Sequence, residues 1–125
     1  MKAALVIMAA GMGSRYGGSK QVDGIGPNGE ILMEYSVFDA LRAGFTKVVF
    51  IIKPEMRDLM EDLVGRRLAE RKTAEGEKVE VCYAYQDFSS VPAFYKVPEE
   101  RVKPFGTVHA LLCARECVSE PFVVI

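Results

Sequence analysis

The stretch AALVIMAAGMGSR, residues 3–15, decides the fold. Its first seven residues, 3–9, are apolar without interruption. A strand with one wet face alternates in polarity, so a continuous apolar run of this length predicts a strand covered on both sides, as in a parallel sheet. The strand empties directly into MAAGMGSRYGGSKQ, residues 8–21, where four glycines and two cations share fourteen positions. A plain turn needs one or two glycines. A loop with so little side chain and a local positive charge is suited to letting an anion approach the backbone.

Outward from that loop the chain alternates between elements. The turn signal Gly26-Pro27-Asn28-Gly29 precedes a helix over 33–43, with Met33, Val37, Phe38 and Leu41 at helical spacing and Gly44 placed to cap it. Residues 46–52 are β-branched and aromatic, a second buried strand ended by Pro54. A charged helix follows over about 55–72, with an inner stripe of Met56, Leu59, Met60, Leu63, Val64 and Leu68 and a solvated outer face. After the turn Glu75-Gly76-Glu77, residues 78–85 alternate as a strand; a long loop covers 86–106, a helix 107–117, and a last strand 121–125. The order β-loop-α-β-α-β-loop-α-β predicts right-handed crossovers and a single α/β domain, a Rossmann-like three-layer α/β/α arrangement with a mostly parallel sheet. The final strand has no turn, cap or polar tail after it, so the 125 residues read as part of a longer domain.

Composition sets limits. Sixteen cations balance seventeen anions for a net charge of −1, so no overall basic field gathers nucleic acid or a membrane surface, and any anion site is local. The amino-terminal apolar run is too short for a signal or membrane segment. Cys82, Cys113 and Cys117 are an odd number without CxxC spacing, which fits a reducing, cytoplasmic setting. Cys113 and Cys117, four apart in a predicted helix, read as buried reduced thiols rather than metal ligands. His109, the single histidine, reads as structural. Asp23, Glu30 and Glu34 read as turn or helix-entry chemistry, and Lys103, beside Glu99, Glu100 and Arg101, as part of a solvated loop.

The glycine loop fits neither common phosphate cradle. The dinucleotide fingerprint G-x-G-x-x-G needs glycine at 16, where the chain has Tyr16; the P-loop pattern begun at Gly13 meets Ser19 where lysine is required. What remains is Ala9-Ala10-Gly11-Met12-Gly13-Ser14-Arg15 with Lys20-Gln21 beyond it. This resembles the A-[AG]-G-x-G-[ST]-R signature of the sugar-phosphate nucleotidyltransferases, which activate sugar 1-phosphates with UTP, dTTP or CTP. Two further segments are similar to that family: Gly29-Glu30-Ile31-Leu32-Met33-Glu34-Tyr35 at its first helix, and Lys103-Pro104-Phe105-Gly106-Thr107 followed by Ala110-Leu111, its K-P-[WF]-G-T-x-x-A-[LV] segment. In many members the loop lysine follows proline; here it follows Ser19, and the span from Arg15 to Lys20 is short.

The resemblance implies a Mg²⁺-dependent transfer of NMP from a nucleoside triphosphate, UTP or dTTP by preference, to a sugar 1-phosphate with release of pyrophosphate. It implies that this chain is the nucleotide-binding part, with the metal-binding aspartate beyond Ile125. By the same likeness, backbone from Ala10 through Gly11, Met12, Gly13 and Ser14 lines the triphosphate, while Arg15 and Lys20 are the catalytic cations. Gln86 follows the third strand and reads a pyrimidine edge, and Gly106 and Thr107 open the last helix beside the base. Two alternatives stay open: a nucleotide-binding module without transfer, and a guanylyltransferase of the molybdenum-cofactor type. A dinucleotide-dependent oxidoreductase is weakened by Tyr16.

Overall fold

The computed structural model of the chain describes residues 2–10, 26–100 and 105–125. Four strands, β1 (Ala4–Met8), β2 (Lys47–Ile52), β3 (Glu80–Tyr85) and β4 (Phe122–Val124), form one sheet in the order β3-β2-β1-β4. Every pairing is parallel. The protein is therefore an α/β domain of Rossmann-like kind, as the apolar run at residues 3–9 predicts.

Alternate residues of the central strands feed two cores. Leu5, Ile7, Val48, Phe50 and Ile52 face α1 (Leu32–Arg42) and the helical run that starts at Pro54; Val6, Val49, Ile51 and Ala84 face α4 (Thr107–Cys113) through Ala110 and Ala114. Both sets are buried, which is why the sequence of β1 and β2 does not alternate in polarity. The crossovers from β1 to β2 and from β2 to β3 run one way along the sheet, and that from β3 to β4 runs the other. Right-handed connections in opposite directions require helices on opposite faces, and that is the arrangement.

Glycines stop the elements where the sequence predicts. Gly29, Gly44 and Gly76 have φ of 80°, 106° and 83°, a left-handed conformation that a Cβ disfavours. Gly44 N–H donates to the Leu41 carbonyl and ends α1.

The second helical segment departs from its predicted form. It comprises a 3₁₀ turn (Pro54–Met56), α2 (Arg57–Met60), a π-helical turn (Glu61–Gly65) and α3 (Arg66–Ala69). Met56, Met60, Val64 and Leu68 recur four apart and are all buried. The widened π turn slows the winding and holds that four-residue row against the sheet. Leu59 rotates out and is 45% exposed, and Leu63 is only partly buried. In α1, Phe38 likewise leaves the predicted stripe and lies between the guanidinium groups of Arg42 and Arg71, 5.6 and 5.7 Å from its ring centroid.

Parts of the charged face predicted to be solvated carry tertiary contacts. Arg67 Nη1 donates to both carboxylate oxygens of Glu34, at 2.8 and 2.9 Å, and ties α3 to α1. Arg57 donates to the Tyr85 hydroxyl at 2.8 Å and lies over the Tyr83 ring. Tyr83 donates to Glu61 at 2.6 Å; burial, and then this bond, hold its hydroxyl protonated well above the usual tyrosine range. Because Glu34 is only 9% exposed, Arg67→Ala leaves a buried acceptor without its donor. The expected loss is about 1–3 kcal/mol, read from the urea midpoint. Double-mutant coupling with Glu34→Gln near zero would contradict it.

Helix α4 ends at Cys113, four residues short of the predicted boundary, and the chain turns through Cys117. Two bonds explain the stop: Cys82 Sγ lies 2.8 Å from Cys117 Sγ, and Lys47 Nζ donates to the Cys117 carbonyl. Burial, with Cys82 beside it, pushes the Cys117 thiol up to about 11, so it stays protonated. Cys113 and Cys117 make different contacts, Cys113 with His109 and Cys117 with Cys82.

Candidate functional site

The carboxyl ends of all four strands share one edge. Ala9 N–H donates to Ile51 O at 2.8 Å, Gln86 N–H to Ile52 O at 2.8 Å, and Met8 N–H to Ile125 O at 2.9 Å. Ala10, buried at 4% exposure, is the last described residue before the glycine loop. The loop therefore departs from β1 between β2 and β4, where the crossovers change direction. Ligands of open α/β sheets collect at such a switch point. Gly11, Met12, Gly13, Ser14, Arg15 and Lys20 lie outside the described residues, as do Asp23 and Lys103.

Gln86 is the most constrained polar side chain at this edge. It is 7% exposed, and its Nε2 donates to the Phe105 carbonyl at 2.8 Å, with the Gly106 carbonyl at 3.5 Å and His109 Nδ1 at 3.3 Å. With carbonyl oxygens facing one end of the carboxamide, that end must be nitrogen, which fixes the other as oxygen. Gln86 Oε1 has no hydrogen-bond donor among the described residues. The sequence predicts an amide offering both donor and acceptor. In the fold the donor half is engaged and the acceptor half is left over.

The predicted pair Gln86 and Gly106 is thus brought together, from opposite ends of a twenty-residue excursion. Gly106 has φ −75° and ψ −161°, accessible to ordinary residues, and a Cβ there would meet no atom of the described residues within 4 Å. Nothing among the described residues requires glycine at this position, and none of them crowds it. Gly106, rather than Thr107, occupies the cap position of α4, and Ala110 N–H donates to its carbonyl at 3.1 Å. Thr107 is exposed as the first helical residue.

Sequence reasoning missed two parts of this arrangement. His109 Nδ1 faces Gln86, its Nε2 lies 3.6 Å from Cys113 Sγ, and its ring meets Phe105 edge-to-face at 5.5 Å. Phe105 also meets Phe88 at 5.8 Å and Tyr95 at 6.1 Å, so the predicted long loop is folded around an aromatic cluster. The available signal was the aromatics within that loop; the convergence of Phe88 and Tyr95 on Phe105 is tertiary and leaves no periodicity.

Of the acids near the loop, Glu30 and Glu34 are committed elsewhere. Glu30 Oε2 accepts from Asn28 N–H at 2.9 Å; backbone donors, its own first, hold its carboxyl below the usual range, and Glu34 is held by Arg67. Among the described residues no group of three or more His, Cys, Asp or Glu side chains could hold a metal ion. A groove of about 750 Å³ runs along the outer side of β3 past Arg57, Glu61, Gly65 and Tyr83, where Tyr83 donates to Glu61 and Arg57 lies over the Tyr83 ring. No described helix is long and apolar enough to cross a membrane. Neither a protein-family model nor a curated protein matches the chain.

Proposed function

We propose that this chain is the nucleotide-binding part of a sugar-phosphate nucleotidyltransferase that takes UTP or dTTP. The observation that carries the reading is Gln86: a buried carboxamide at the carboxyl edge, its oxygen without a donor among the described residues, beside a Gly106 that no described atom crowds. The 3-imide N–H of uracil or thymine is a donor that such an oxygen accepts. The glycine loop leaves the same edge from the strand between β2 and β4, which supports a triphosphate reaching from the loop toward Gln86.

In this reading the sugar-phosphate oxygen attacks the α-phosphorus and pyrophosphate departs. No side-chain nucleophile is required, so the protein contributes alignment and charge stabilisation. Gly11 and Gly13 clear the backbone so that its N–H groups face the phosphates. Arg15 offers a planar fork to the leaving pyrophosphate, and Lys20 a point charge between the α-phosphate and the incoming sugar phosphate.

The test is pyrophosphate release by the full-length protein with Mg²⁺, screened over UTP, dTTP, CTP and GTP against several sugar 1-phosphates, since the 125 residues alone are expected to turn nothing over. Release that depends on both a pyrimidine triphosphate and a sugar 1-phosphate is the expected result. Nucleotide binding without release identifies a non-catalytic module; preference for GTP points to guanylyl transfer. Binding of NADH rather than UTP would overturn the reading.

A further inference from the structure

We propose that His109 is a positioning residue that sets which bases the site accepts, by fixing which end of the Gln86 carboxamide faces the ligand. The inference rests on the uridine or thymidine reading above and concerns how that preference is enforced.

The Gln86 nitrogen carries two hydrogens. One goes to the Phe105 carbonyl at 2.8 Å; the second has His109 Nδ1 at 3.3 Å as its nearer partner, ahead of the Gly106 carbonyl at 3.5 Å. Accepting that hydrogen requires Nδ1 to be unprotonated. The imidazole proton then resides on Nε2, which faces Cys113 Sγ at 3.6 Å, a sulfur able to accept it. The edge-to-face contact with Phe105 holds the ring plane in place for both bonds. A flipped carboxamide would set Oε1 against the Phe105 carbonyl, the more distant Gly106 carbonyl and the Nδ1 lone pair. Three acceptor-against-acceptor contacts oppose that flip, and His109 in this tautomer supplies one of them.

The consequence is selectivity. With Oε1 outward, Gln86 accepts from the N3–H of uracil or thymine. Cytosine presents a lone pair at N3, so the same oxygen repels it. Loss of His109 removes one of the three contacts that oppose the flip and lets the carboxamide present nitrogen part of the time, which relaxes discrimination without emptying the site.

The experiment has two independent readouts. His109 is the only histidine in the chain, so its imidazole ¹⁵N signals need no assignment strategy. The expected spectrum of the ligand-free protein near neutral pH has Nε2 protonated and Nδ1 bare; a proton on Nδ1 overturns the arrangement. The second readout is the ratio of UTP to CTP affinity by calorimetry in three proteins. His109→Leu should lower the wild-type preference about 3- to 10-fold, the equivalent of one neutral hydrogen bond. His109→Asn should retain most of it, because Oδ1 stands the same number of bonds from Cβ as Nδ1 and also accepts. An unchanged ratio in a folded His109→Leu protein overturns the proposal. Failure of the wild type to bind either nucleotide rejects the function proposed above, whereas the imidazole spectrum still decides the hydrogen-bond arrangement.

Discussion

Replacing Arg15 by alanine is expected to weaken UTP binding by about 10- to 150-fold, the equivalent of one charge-assisted hydrogen bond of about 1.5–3 kcal/mol. Stability should barely move. Arg15 is a charged residue in a segment of four glycines and few apolar side chains, the composition on which this expectation rests. What the substitution removes is a fork whose planar geometry matches two phosphate oxygens, which a lysine replaces only as a point charge. Arg15→Lys should therefore recover part of the affinity, and raising salt should weaken the wild type more than the alanine variant. Calorimetric titration of UTP, with urea unfolding of the same samples, separates the two effects. Equal affinities for wild type and Arg15→Ala would remove the guanidinium from the proposed site.

The largest loss of stability is expected at the opposite end of the functional scale. Phe50 is fully buried at the middle of β2, paired in register with Ile7 on β1 and Tyr83 on β3, and stacked on the Tyr83 ring at 5.7 Å. Phe50→Ala removes a ring from beneath α1 and from between three strands, and the surrounding backbone, fixed by parallel pairing on both sides, has little freedom to close the gap. The expected destabilisation is about 3–5 kcal/mol, comparable to the whole stability of a marginal domain. The urea midpoint should fall steeply with an unchanged slope. Phe50→Leu, which refills much of the volume, should cost clearly less. A Phe50→Ala protein as stable as wild type would mean that this side of the sheet is not a packed core.

The fold was legible because its strands are written in unbroken apolar runs and its turns in glycine. Residues 3–9, residues 46–52, Gly29, Gly44 and Gly76 each carry a local physical requirement that sequence displays directly. Leu59 and Phe38 were misread because regular helical spacing was applied to a segment wound more slowly by the Glu61–Gly65 turn, and to a ring held outside by two arginines. The candidate site divides along the same line. Gln86 and Gly106 stand next to element ends, and such positions can be picked out from sequence. His109 sits inside a short helix; its Nε2 faces Cys113 one turn on in the same helix, whereas its Nδ1 meets Gln86 through the approach of the segment that follows β3. Non-local contacts of this kind have no signature in spacing.

The central place of β1 has a kinetic consequence. It pairs with β2 on one side and, on the other, with β4 from the far end of the sequence. Closing that second pairing joins residue 4 to residue 122, the kind of long-range contact whose closure entropy, growing with the logarithm of the enclosed length, slows folding. During synthesis the first strand made waits longest for its last neighbour, leaving an apolar edge open to capture by other chains until residues 122–124 emerge.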